Sequence, residues 1–488
     1  MSENGMNEKC TKKEYETVIG LEVHVELSTR TKIFCGCAAT FGAPPNTLVC
    51  PVCLGMPGTL PVLNRRVVEL AMAVGLALGC DVTRTTRFDR KNYFYPDNPQ
   101  NYQISQLYLP ICRNGWLGIG EGEEERKIRI HELHAEEDAG KLTHDEEGRE
   151  TLVDYNRAGV PLIEIVTEPD LKNAGEVIAF LEKLRMVIGY LEASDCKLQE
   201  GSMRVDVNLS LREVGSERMG TRTEMKNLNS FRAITRAIDA EAKRQKELLD
   251  AGEGILQETR RWDDQKGVSF SMRSKEDAQD YRYFPDPDLP PVVISEEWIQ
   301  SVRNALPEMR DEKKERFVRE YGIPAYDAGV ITQSVHLARW FEQTAALGIL
   351  PKKVSNWIMG EGLRLLREKE MDPGDVRLSP EHFAALIRMN EEDEITNAVA
   401  KEVFAKSIDE DLDPESYVKA NGLMTMQDDF LLRETVKKVI AENEKSVADY
   451  KNGKEKALGY LVGQTMKAVR GQALPAAVTA MLKEELNA

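Results

Sequence analysis

The chain has 488 residues and a formal net charge of −17. This length predicts two to four domains with room for a large core, since domains run to roughly 100–200 residues. The acidic balance argues against a protein that coats nucleic acid by bulk electrostatics, although one domain can still carry a basic footprint. No apolar run reaches eighteen residues, so the sequence predicts no membrane span.

The first residues are polar and lack the apolar segment of a secretion signal. They predict a short disordered lead-in over residues 1–16 and a cytoplasmic protein. The stretch that follows is rich in predicted strands. Thr17–Leu27 alternates between apolar and polar residues, which predicts a half-buried strand with Glu22, His24 and Glu26 on its polar face. Two later segments alternate in the same way and place the following polar residues on one face: Arg204, Asp206, Asn208 and Ser210 in the first, and Arg222, Glu224 and Lys226 in the second.

Apolar spacing predicts helices over Arg66–Leu78 and Ala174–Leu191. The proline-rich stretch Pro285–Val293 cannot continue a helix or a central strand, and it marks the end of the first domain. Helical patterns fill the rest of the chain. The predicted fold class is α+β: a mixed or antiparallel sheet forms a cradle-like catalytic domain over residues 17–295. An all-α domain over 296–410 and a small α-helical tail domain over 411–488 follow.

Four of the eight cysteines fall within nineteen positions: Cys35, Cys37, Cys50 and Cys53. Two close pairs of thiolates can close a tetrahedral Zn²⁺ site, and a closed shell of four cysteines leaves no position for a reacting ligand. The pattern therefore predicts a structural zinc loop over residues 35–53. The alternative is a loop of free, partly redundant thiols.

The polar strand faces suggest a second metal site. Glu22 and His24 are two positions apart on a strand and point the same way. Because Mg²⁺ prefers oxygen ligands, Asp206, Asn208 and Glu224 from two other strands could converge with them on one ion. Alternatively, each strand simply faces solvent.

Two further motifs carry polar chemistry. Three consecutive acids in His134–Lys141 would repel one another unless a divalent cation relieved the repulsion; the alternative is an acidic surface turn. Basic and aromatic residues interleave in Arg90–Asp97, which suits a nucleotide or equally the packing of a core. The sequence contains no P-loop, no dinucleotide-binding glycine motif and no glutaminase signature. An ATP-dependent, ammonia-using enzyme of this sequence would need another nucleotide platform and a partner that makes ammonia.

Seven motifs in fixed order resemble those of the B subunit of the bacterial tRNA-dependent amidotransferases, the aspartyl/glutamyl-tRNA(Asn/Gln) amidotransferases. The resemblance runs from Glu14 to the end of the chain. The motifs are Ile19–Leu27, Lys91–Asp97, His134–Lys141, Asp154–Ile165, Glu200–Ser210, Gly220–Phe231 and Asp280–Asp288.

This resemblance implies a glutamine-hydrolysing carbon–nitrogen ligase of protein biosynthesis. ATP would phosphorylate the side-chain carboxylate of Glu or Asp misacylated on tRNA, and ammonia would then displace phosphate to give the amide. It also implies a heterotrimer, in which a glutaminase A subunit supplies ammonia and a small C subunit braces the pair. In this family the four-cysteine site is present in some members and lost in others, which favours a structural role for zinc.

The resemblance also assigns residue roles. It implies metal binding, directly or through water, for the catalytic residues Glu22, His24, Glu136, Glu137, Asp206 and Glu224, with Mg²⁺ expected on Glu22, His24, Glu137, Asp206 and Glu224. It implies contacts to ATP or substrate for Lys91, Tyr93, Arg204, Asn208, Lys226 and Asn227. The tail domain would contact the outer corner of the tRNA through a basic set: Lys437, Lys438, Lys445, Lys451, Lys454, Lys456, Lys467 and Arg470.

Three alternatives stay open at this point. The archaeal glutamate-specific relative carries a large inserted domain, for which the passage from Pro285–Val293 into the helical region leaves no room. A zinc-containing RNA-binding factor would not place Glu22, Asp206 and Glu224 where phosphate approaches. A self-sufficient ligase would need its own source of ammonia. The sequence does not distinguish Glu-tRNA(Gln) from Asp-tRNA(Asn) as the substrate.

Overall fold

The computed structural model describes residues 13–120, 125–145, 150–274, 280–425, 429–469 and 471–487. Most of the predicted lead-in, with Cys10, lies outside these residues, as does Arg470. The chain divides into two compact units, Met1–Glu308 and Met309–Ala488. Within the described ranges, no helix is both long and apolar enough to cross a membrane.

The first unit contains all sixteen strands and four helices of the described chain. The strands are β1 Tyr15–Glu26, β2 Asp81–Val82, β3 Thr85–Thr86, β4 Asp89–Asn92, β5 Tyr102–Ser105, β6 Cys112–Ile119, β7 Arg126–Glu137, β8 Lys141–His144, β9 Thr151–Asp154, β10 Pro161–Thr167, β11 Met203–Glu213, β12 Thr223–Lys226, β13 Glu258–Asp263, β14 Val268–Ser274, β15 Phe284–Pro285 and β16 Val292–Val293. The helices are α1 Arg65–Ala77, α2 Ala174–Tyr190, α3 Phe231–Asp250 and α4 Glu296–Asn304.

Nine strands form one sheet in the order β14-β13-β12-β11-β1-β10-β7-β6-β2. Every neighbouring pair is antiparallel except β12 and β13, so the sheet is mixed, as predicted. Three small sheets accompany it: β15-β4-β5, β16-β3 and β8-β9. Strand β1 begins at Tyr15, which pairs with Glu213 of β11, so the predicted lead-in is wrong for its last two residues.

One face of the nine-stranded sheet is apolar because alternate residues of its central strands are aliphatic. Val23 of β1 and Val205 and Val207 of β11 are almost completely buried on this face. Helices α1, α2 and α3 pack against it, with α2 contributing Phe180 and Leu184, both fully buried. Side chains on a strand alternate between faces, so the polar residues between these aliphatic ones lie on the opposite face.

The helices begin where their sequences provide caps. The side chain of Asn173 accepts a hydrogen bond from the Glu176 amide at the start of α2, and Ser230 caps α3 in the same way. Helix α3 also holds the sheet through a buried polar contact. Thr223 of β12 donates a hydrogen bond of 2.7 Å to Glu241 of α3. This contact fixes the short strand β12, which carries two predicted site residues.

Helices are the only regular elements among the described residues of the second unit, which confirms the predicted α+β class. Its helices are α5 Arg310–Tyr321, α6 Ala325–Ile331, α7 Val335–Ala346, α8 Pro351–Trp357, α9 Leu363–Glu368, α10 Pro380–Glu391, α11 Asn397–Glu410, α12 Pro414–Ala420, α13 Asp429–Glu442, α14 Glu444–Lys451, α15 Lys456–Ala468 and α16 Pro475–Asn487. A π-helical turn, Ile358–Gly362, joins α8 to α9.

Two hydrophobic clusters form in this unit, one from residues between 317 and 423 and one from residues between 432 and 486. Val418 of α12 is fully buried in the first cluster, so that core extends past the predicted boundary at residue 410. Helix α4, which was predicted to open the helical domain, packs against α1 in the first unit instead. The guanidinium of Arg65 lies 4.7 Å from the Trp298 ring and contributes to that contact.

We expect Leu184→Ala to lower the free energy of unfolding of the first unit by about 2–5 kcal/mol, because a fully buried leucine leaves a cavity when truncated. Urea denaturation of the full-length chain measures the effect. Glu182→Ala, an exposed position on the same helix, is the matched control and should change stability by less than about 0.5 kcal/mol. Equal effects of the two variants would contradict the packing described for α2.

Candidate active site

Strand pairing places the predicted site residues in two neighbouring rows on the polar face of the sheet. Glu22 of β1 lies opposite Asp206 of β11, and Asn208 of β11 lies opposite Glu224 of β12. Residues opposite one another in an antiparallel pair project from the same face and have Cβ atoms about 5 Å apart. Carboxylates that are far apart in sequence therefore meet in one place.

Glu22, Asp206 and Glu224 form the first cluster, called here the acidic trio. One carboxylate oxygen from each lies within 4.8 Å of the others. Lys226 neutralises part of this charge, with its Nζ 2.6 Å from Asp206 Oδ2 and 2.8 Å from Glu224 Oε1. Asn208 donates a hydrogen bond of 2.9 Å to Glu22 Oε1. Four of the five predicted strand-face residues thus converge, together with the predicted Lys226, whereas His24 belongs to a different group.

The electrostatics of the trio show that its carboxylates are in excess of the local cations. Burial raises the pKa of Glu22 above its usual value, and the charge of Glu164 raises it further. Burial alone would lower the pKa of Lys226, but Asp206 and Glu224 outweigh it and raise that pKa. The half-buried trio offers three carboxylate oxygens and has only the ammonium of Lys226 beside it. This set fits a hard divalent cation, which prefers carboxylate ligands.

His24, Glu136 and Glu164 form a second cluster, called here the histidine cluster. Their ligand atoms also lie within 4.8 Å of one another. The Nε2 atom of His24 is 3.5 Å from Glu164 Oε2 and 3.6 Å from Glu136 Oε1. His134 approaches the same carboxylates, with its Nε2 3.0 Å from Glu164 Oε2. The predicted single Mg²⁺ set is therefore divided between two clusters.

The histidines and glutamates of this cluster balance one another. Burial would lower the pKa of His24, but the hydrogen bond and charge of Glu164 outweigh it, so that pKa is raised. The same competition lowers the pKa of Glu164 well below its usual range, chiefly through the charge of His134. A nitrogen and two carboxylate oxygens can bind a divalent metal once His24 is neutral, since a ligating imidazole must be unprotonated.

Glu137 belongs to neither the acidic trio nor the histidine cluster. It receives hydrogen bonds from the backbone amide of Ile104 at 2.9 Å and from the side chain of Gln100. It lines a small cleft with Tyr93, Gln100 and Cys53. Burial raises the pKa of Glu137 to about 8, and the charge of Asp286 adds to the shift. This carboxyl group is therefore mostly protonated at neutral pH.

Arg204 lies beside the histidine cluster, next to the acidic residues Asp138 and Glu26. Its guanidinium donates to Asp138 Oδ2 at 2.8 Å, and Arg157 approaches the same carboxylate at 3.3 Å. Burial raises the pKa of the neighbouring Glu26 to about 8, with Asp138 as a further cause. Arg204 thus pairs with the buried carboxylate of Asp138 instead of projecting freely toward an anion.

The remaining predicted contacts occupy two further places. Lys91 Nζ lies 5.0 Å from the centroid of the Tyr281 ring, and the Tyr93 ring packs edge-on against the same tyrosine at 6.2 Å. These residues form a basic and aromatic group beside the sheet. Asn227 has a φ of 68° and donates its side-chain amide to the backbone oxygen of Trp262. Its contact holds the end of β12 to β13, and the structure does not bring it to the acidic trio.

The four predicted zinc cysteines converge. The sulfurs of Cys35, Cys37, Cys50 and Cys53 all lie within 4.8 Å of one another, and Cys53 Sγ is 3.9 Å from Cys50 Sγ and 4.0 Å from Cys37 Sγ. A tetrahedral ion with metal–sulfur distances of about 2.3 Å requires sulfur–sulfur separations of about 3.8 Å. The donor set therefore fits zinc in both type and spacing.

The charge at the cysteines is compensated from inside the protein. Lys32 is completely buried, with its Nζ 3.5 Å from Cys53 Sγ and 3.2 Å from the carbonyl oxygen of Tyr155. Hydrogen bonding to Cys35 lowers the pKa of the Cys53 thiol to about 4. A buried ammonium is stable only with a compensating anion, so Lys32 matches a thiolate-rich site.

Sequence reasoning missed Glu164, His134 and Tyr283 at the histidine cluster. Burial and the charges of Glu136 and Glu164 raise the pKa of Tyr283, which marks it as a neighbour. Glu164 stands directly opposite His24 on β1 and His134 on β7. The sequence did contain a signal for Glu164, because it is the single charged residue in the aliphatic run of β10. A carboxylate in such a run needs a partner.

Comparison with known proteins covers both units. Residues 17–300 match the family model of the GatB/GatE catalytic domain, and residues 339–486 match that of the GatB domain. The B subunit of the aspartyl/glutamyl-tRNA(Asn/Gln) amidotransferase of Lachnoclostridium phytofermentans is 59% identical over 475 residues, which cover 97% of this chain and 99% of the relative. The B subunit of Agathobacter rectalis is 60% identical over 474 residues, which cover 97% of this chain and 100% of the relative. The predicted resemblance is confirmed: the chain belongs to the family of aspartyl/glutamyl-tRNA(Asn/Gln) amidotransferase B subunits.

Proposed function

We propose that this chain is the transamidation subunit of a glutamine-hydrolysing ligase that converts misacylated Glu-tRNA(Gln), Asp-tRNA(Asn) or both into the amidated forms. The observation that carries the proposal is the acidic trio with Lys226 on the open face of the sheet. The names of relatives that are 59–60% identical over nearly the whole chain support the same activity.

A carboxylate is a poor acyl donor because its oxygen is a poor leaving group, and phosphorylation by ATP corrects this. The substrate carboxylate and the terminal phosphate are both anions, so their approach needs neutralisation. Mg²⁺ held by Glu22, Asp206 and Glu224 would supply Lewis-acid stabilisation of the phosphate charge. Lys226 adds a cation whose raised pKa keeps it protonated, and Asn208 holds Glu22 in position through its amide.

The histidine cluster lies beside the trio, and the two influence each other through Glu164, whose charge raises the pKa of Glu22. We assign His24, Glu136 and Glu164 to a second divalent cation or to a proton-holding network. Both assignments use the same carboxylates, which His134 and Ser105 orient by hydrogen bonding. Arg204 would act indirectly, by keeping Asp138 ionised at the edge of this cluster.

ATP needs a platform other than a P-loop. Lys91 and Tyr93 fit this role, because a cation beside aromatic rings can contact both phosphate and base. Glu137 lines the cleft beside Tyr93 and carries a carboxyl group with a pKa near 8. Because such a group is mostly protonated at neutral pH, it is suited to donate a proton or a hydrogen bond to a group bound in this cleft.

The ammonia must come from another chain. The described cysteines outside the zinc set, Cys80, Cys112 and Cys196, are buried, and burial raises the pKa of Cys80 and Cys196 to about 12. Buried thiols of high pKa are poor nucleophiles, so they are unsuited to hydrolysing glutamine. A glutaminase A subunit and a small C subunit are the partners that the family resemblance implies.

The tail of the second unit is the proposed contact for the tRNA body. Its lysines are exposed, and several pair with nearby acids, such as Lys437 with Glu434 on α13 and Lys454, in the turn after α14, with Asp449 of that helix. Exposed pairs of this kind contribute little stability, so phosphate groups can replace the acids as partners.

Asp206→Asn should reduce tRNA-dependent amide formation by roughly 100-fold or more, because a neutral ligand weakens cation binding and leaves Lys226 with one acid less. The measurement is amidation of misacylated tRNA by the complex with its partner subunits, with glutamine hydrolysis by the partner followed in parallel. Glu213→Gln, on the exposed end of the same strand, is the control and should retain activity. Full activity of the Asp206 variant would contradict the trio's role.

Cys50→Ser should lower the zinc content of the purified chain from about one ion to well below one, because the shell of four thiolates is then incomplete. Metal analysis by atomic absorption gives this value without any activity assay. Cys196→Ser, which changes a buried cysteine outside the set, is the control and should retain the zinc. Unchanged zinc in the Cys50 variant would exclude a structural zinc at this loop.

Glu137 also predicts a pH dependence of stability. Its pKa is about 8 in the folded protein and 4.5 in its unperturbed form. Between these values the folded state retains a proton that the unfolded state loses, so this residue lowers stability progressively as the pH rises from about 4.5 to about 8. Glu137→Gln keeps the hydrogen-bonding shape and cannot ionise, so it removes this loss.

The Glu137→Gln variant should therefore match the wild-type protein in urea denaturation at pH 5 and be more stable at pH 8.5, by a value on the order of 2–4 kcal/mol. Glu213→Gln again serves as the control for a carboxylate removed from an exposed site. An identical pH dependence of the wild-type protein and the Glu137→Gln variant would show that the Glu137 carboxyl ionises normally.

A further inference from the structure

The edge strand β14 has an apolar face that the fold leaves open. Val268, Phe270 and Met272 are 45%, 48% and 58% exposed, and they alternate with Ser269 and Ser271. Val268 and Phe270 lie opposite Asp263 and Arg261 of β13 and share one face, whereas Met272 lies at a register shift just beyond them. Edge strands usually carry charged residues on their exposed positions, so three exposed apolar side chains in a row indicate a binding surface.

This face is the polar, site-bearing face of the nine-stranded sheet. Phe270 lies opposite Arg261 of β13, and Arg261 lies beside Lys226 of β12. Lys226 in turn contacts Asp206 of the acidic trio. The opposite face is occupied by Trp262, which is buried toward helix α3, where Arg236 lies over its ring. A continuous row of side chains thus leads from the acidic trio to the sheet edge.

The charges along this row suit a phosphate-bearing ligand. Arg261 is exposed and has no ion pair among the residues that the structure describes. Lys266 extends over the Phe270 ring, with its Nζ 5.3 Å from the ring centroid, while pairing with Asp263 at 3.5 Å. Exposed aromatic and cationic side chains on a sheet surface are typical of proteins that stack unpaired nucleic-acid bases.

The distance from trio to edge matches the proposed substrate. Three strand spacings separate β11 from β14, which is about 14 Å at about 4.8 Å per spacing. From the reacting carboxyl of an esterified glutamate, some six bonds lead to the ribose and three more to the base. In an extended chain each bond of about 1.5 Å advances about 1.25 Å, so this path reaches about 11 Å to the base and about 13 Å to its centre. The terminal base is therefore within reach of Phe270.

We infer that the surface formed by Arg261 and Phe270 binds the unpaired 3′-terminal nucleotides of the substrate tRNA, stacking bases on Phe270 and contacting phosphate with Arg261. This inference rests on the proposed function, whose substrate carries its amino acid on that 3′ end. The exposed apolar positions from Val268 to Met272 extend over five residues of strand, or about 13 Å at about 3.3 Å per step, which accommodates more than one nucleotide. That length and the open sheet edge favour a polymer end over the adenine of ATP.

The test measures binding without catalysis, so its failure is separate from failure of the transamidation proposal. The probes are two uncharged tRNA transcripts, one complete and one lacking its unpaired 3′ nucleotides, titrated against the full complex without ATP. Removing the 3′ nucleotides should weaken binding to the wild-type complex by roughly 5-fold to 100-fold, because each stacked base contributes about 1–3 kcal/mol. Phe270→Ala should reduce this difference, because the stacking contribution is lost while the phosphate contact of Arg261 remains.

Phe270→Tyr preserves a stacking ring and should retain the difference between the transcripts. Leu152→Ala removes an exposed apolar side chain from the separate β8-β9 sheet, and it should also behave as the wild-type complex. Arg261→Ala should weaken binding of the complete transcript and lower its salt dependence by about one charge. It should leave the truncated transcript unaffected.

A wild-type complex that binds both transcripts equally would overturn the inference. So would a Phe270→Ala complex that keeps the full difference. A third contrary result is an increase in the KM for ATP with an unchanged KM for the aminoacylated tRNA, which would assign Phe270 to the nucleotide. None of these outcomes affects the amidation assay of the Asp206 variant, which tests the proposed function independently.

Discussion

The pairing of β1 between β10 and β11 is the constraint on which the site depends. It sets Glu22 opposite Asp206 and His24 opposite both Arg204 and Glu164. Because side chains alternate between faces, a slip of one residue would turn these groups toward the helices and bring valines to the open face. The apolar face fixes the register, since burying an unpaired charge costs far more than any alternative pairing of the backbone can recover. Core packing therefore positions the polar chemistry.

The polar face then has its own requirement, which is charge balance. Carboxylates gathered this closely raise one another's pKa, as at Glu22, unless cations are held among them. The protein supplies Lys226 at the acidic trio and His24 with His134 at the histidine cluster. Removing one partner would leave a partly buried charge uncompensated, so these groups act as sets. Such a face is prepared for cations and for the anions that arrive with them.

The sequence was sufficient to predict which residues of a strand share a face, but not how far apart the strands lie in the sheet. The alternation of apolar and polar residues identified Glu22, Asp206 and Glu224, because the period of a strand can be recognised without knowing which strands lie beside it. It could not show that His24 belongs to a different cluster, since that depends on β10 lying between β1 and β7. Glu137 was misleading for a related reason. It follows Glu136 directly, and successive residues of a strand face opposite ways.

Cysteine spacing was a stronger guide than strand pattern because it is local. Two short loops bring Cys35, Cys37, Cys50 and Cys53 together whatever the sheet does, whereas Lys32, their buried counter-ion, has no local signature. The domain boundaries show the same limit. Proline marked the end of the strand-rich region, but helix α4 still belongs to the first unit through its packing on α1. Tertiary contacts decide such assignments, and they are invisible to a pattern.

The sheet is open at β14 for a reason that follows from the size of the substrate. An enzyme for a free amino acid could enclose its ligand, exclude water and leave no edge near the chemistry. A carboxylate attached to a large RNA must instead enter from outside on the end of a polymer. The RNA strand that carries this carboxylate needs a binding surface that continues from the site. That surface must be cationic for the phosphates and apolar for the bases. The row from Lys226 through Arg261 to Phe270 has these properties in this order. An exposed apolar edge carries an aggregation hazard, so its presence beside the site is better explained by a ligand than by folding.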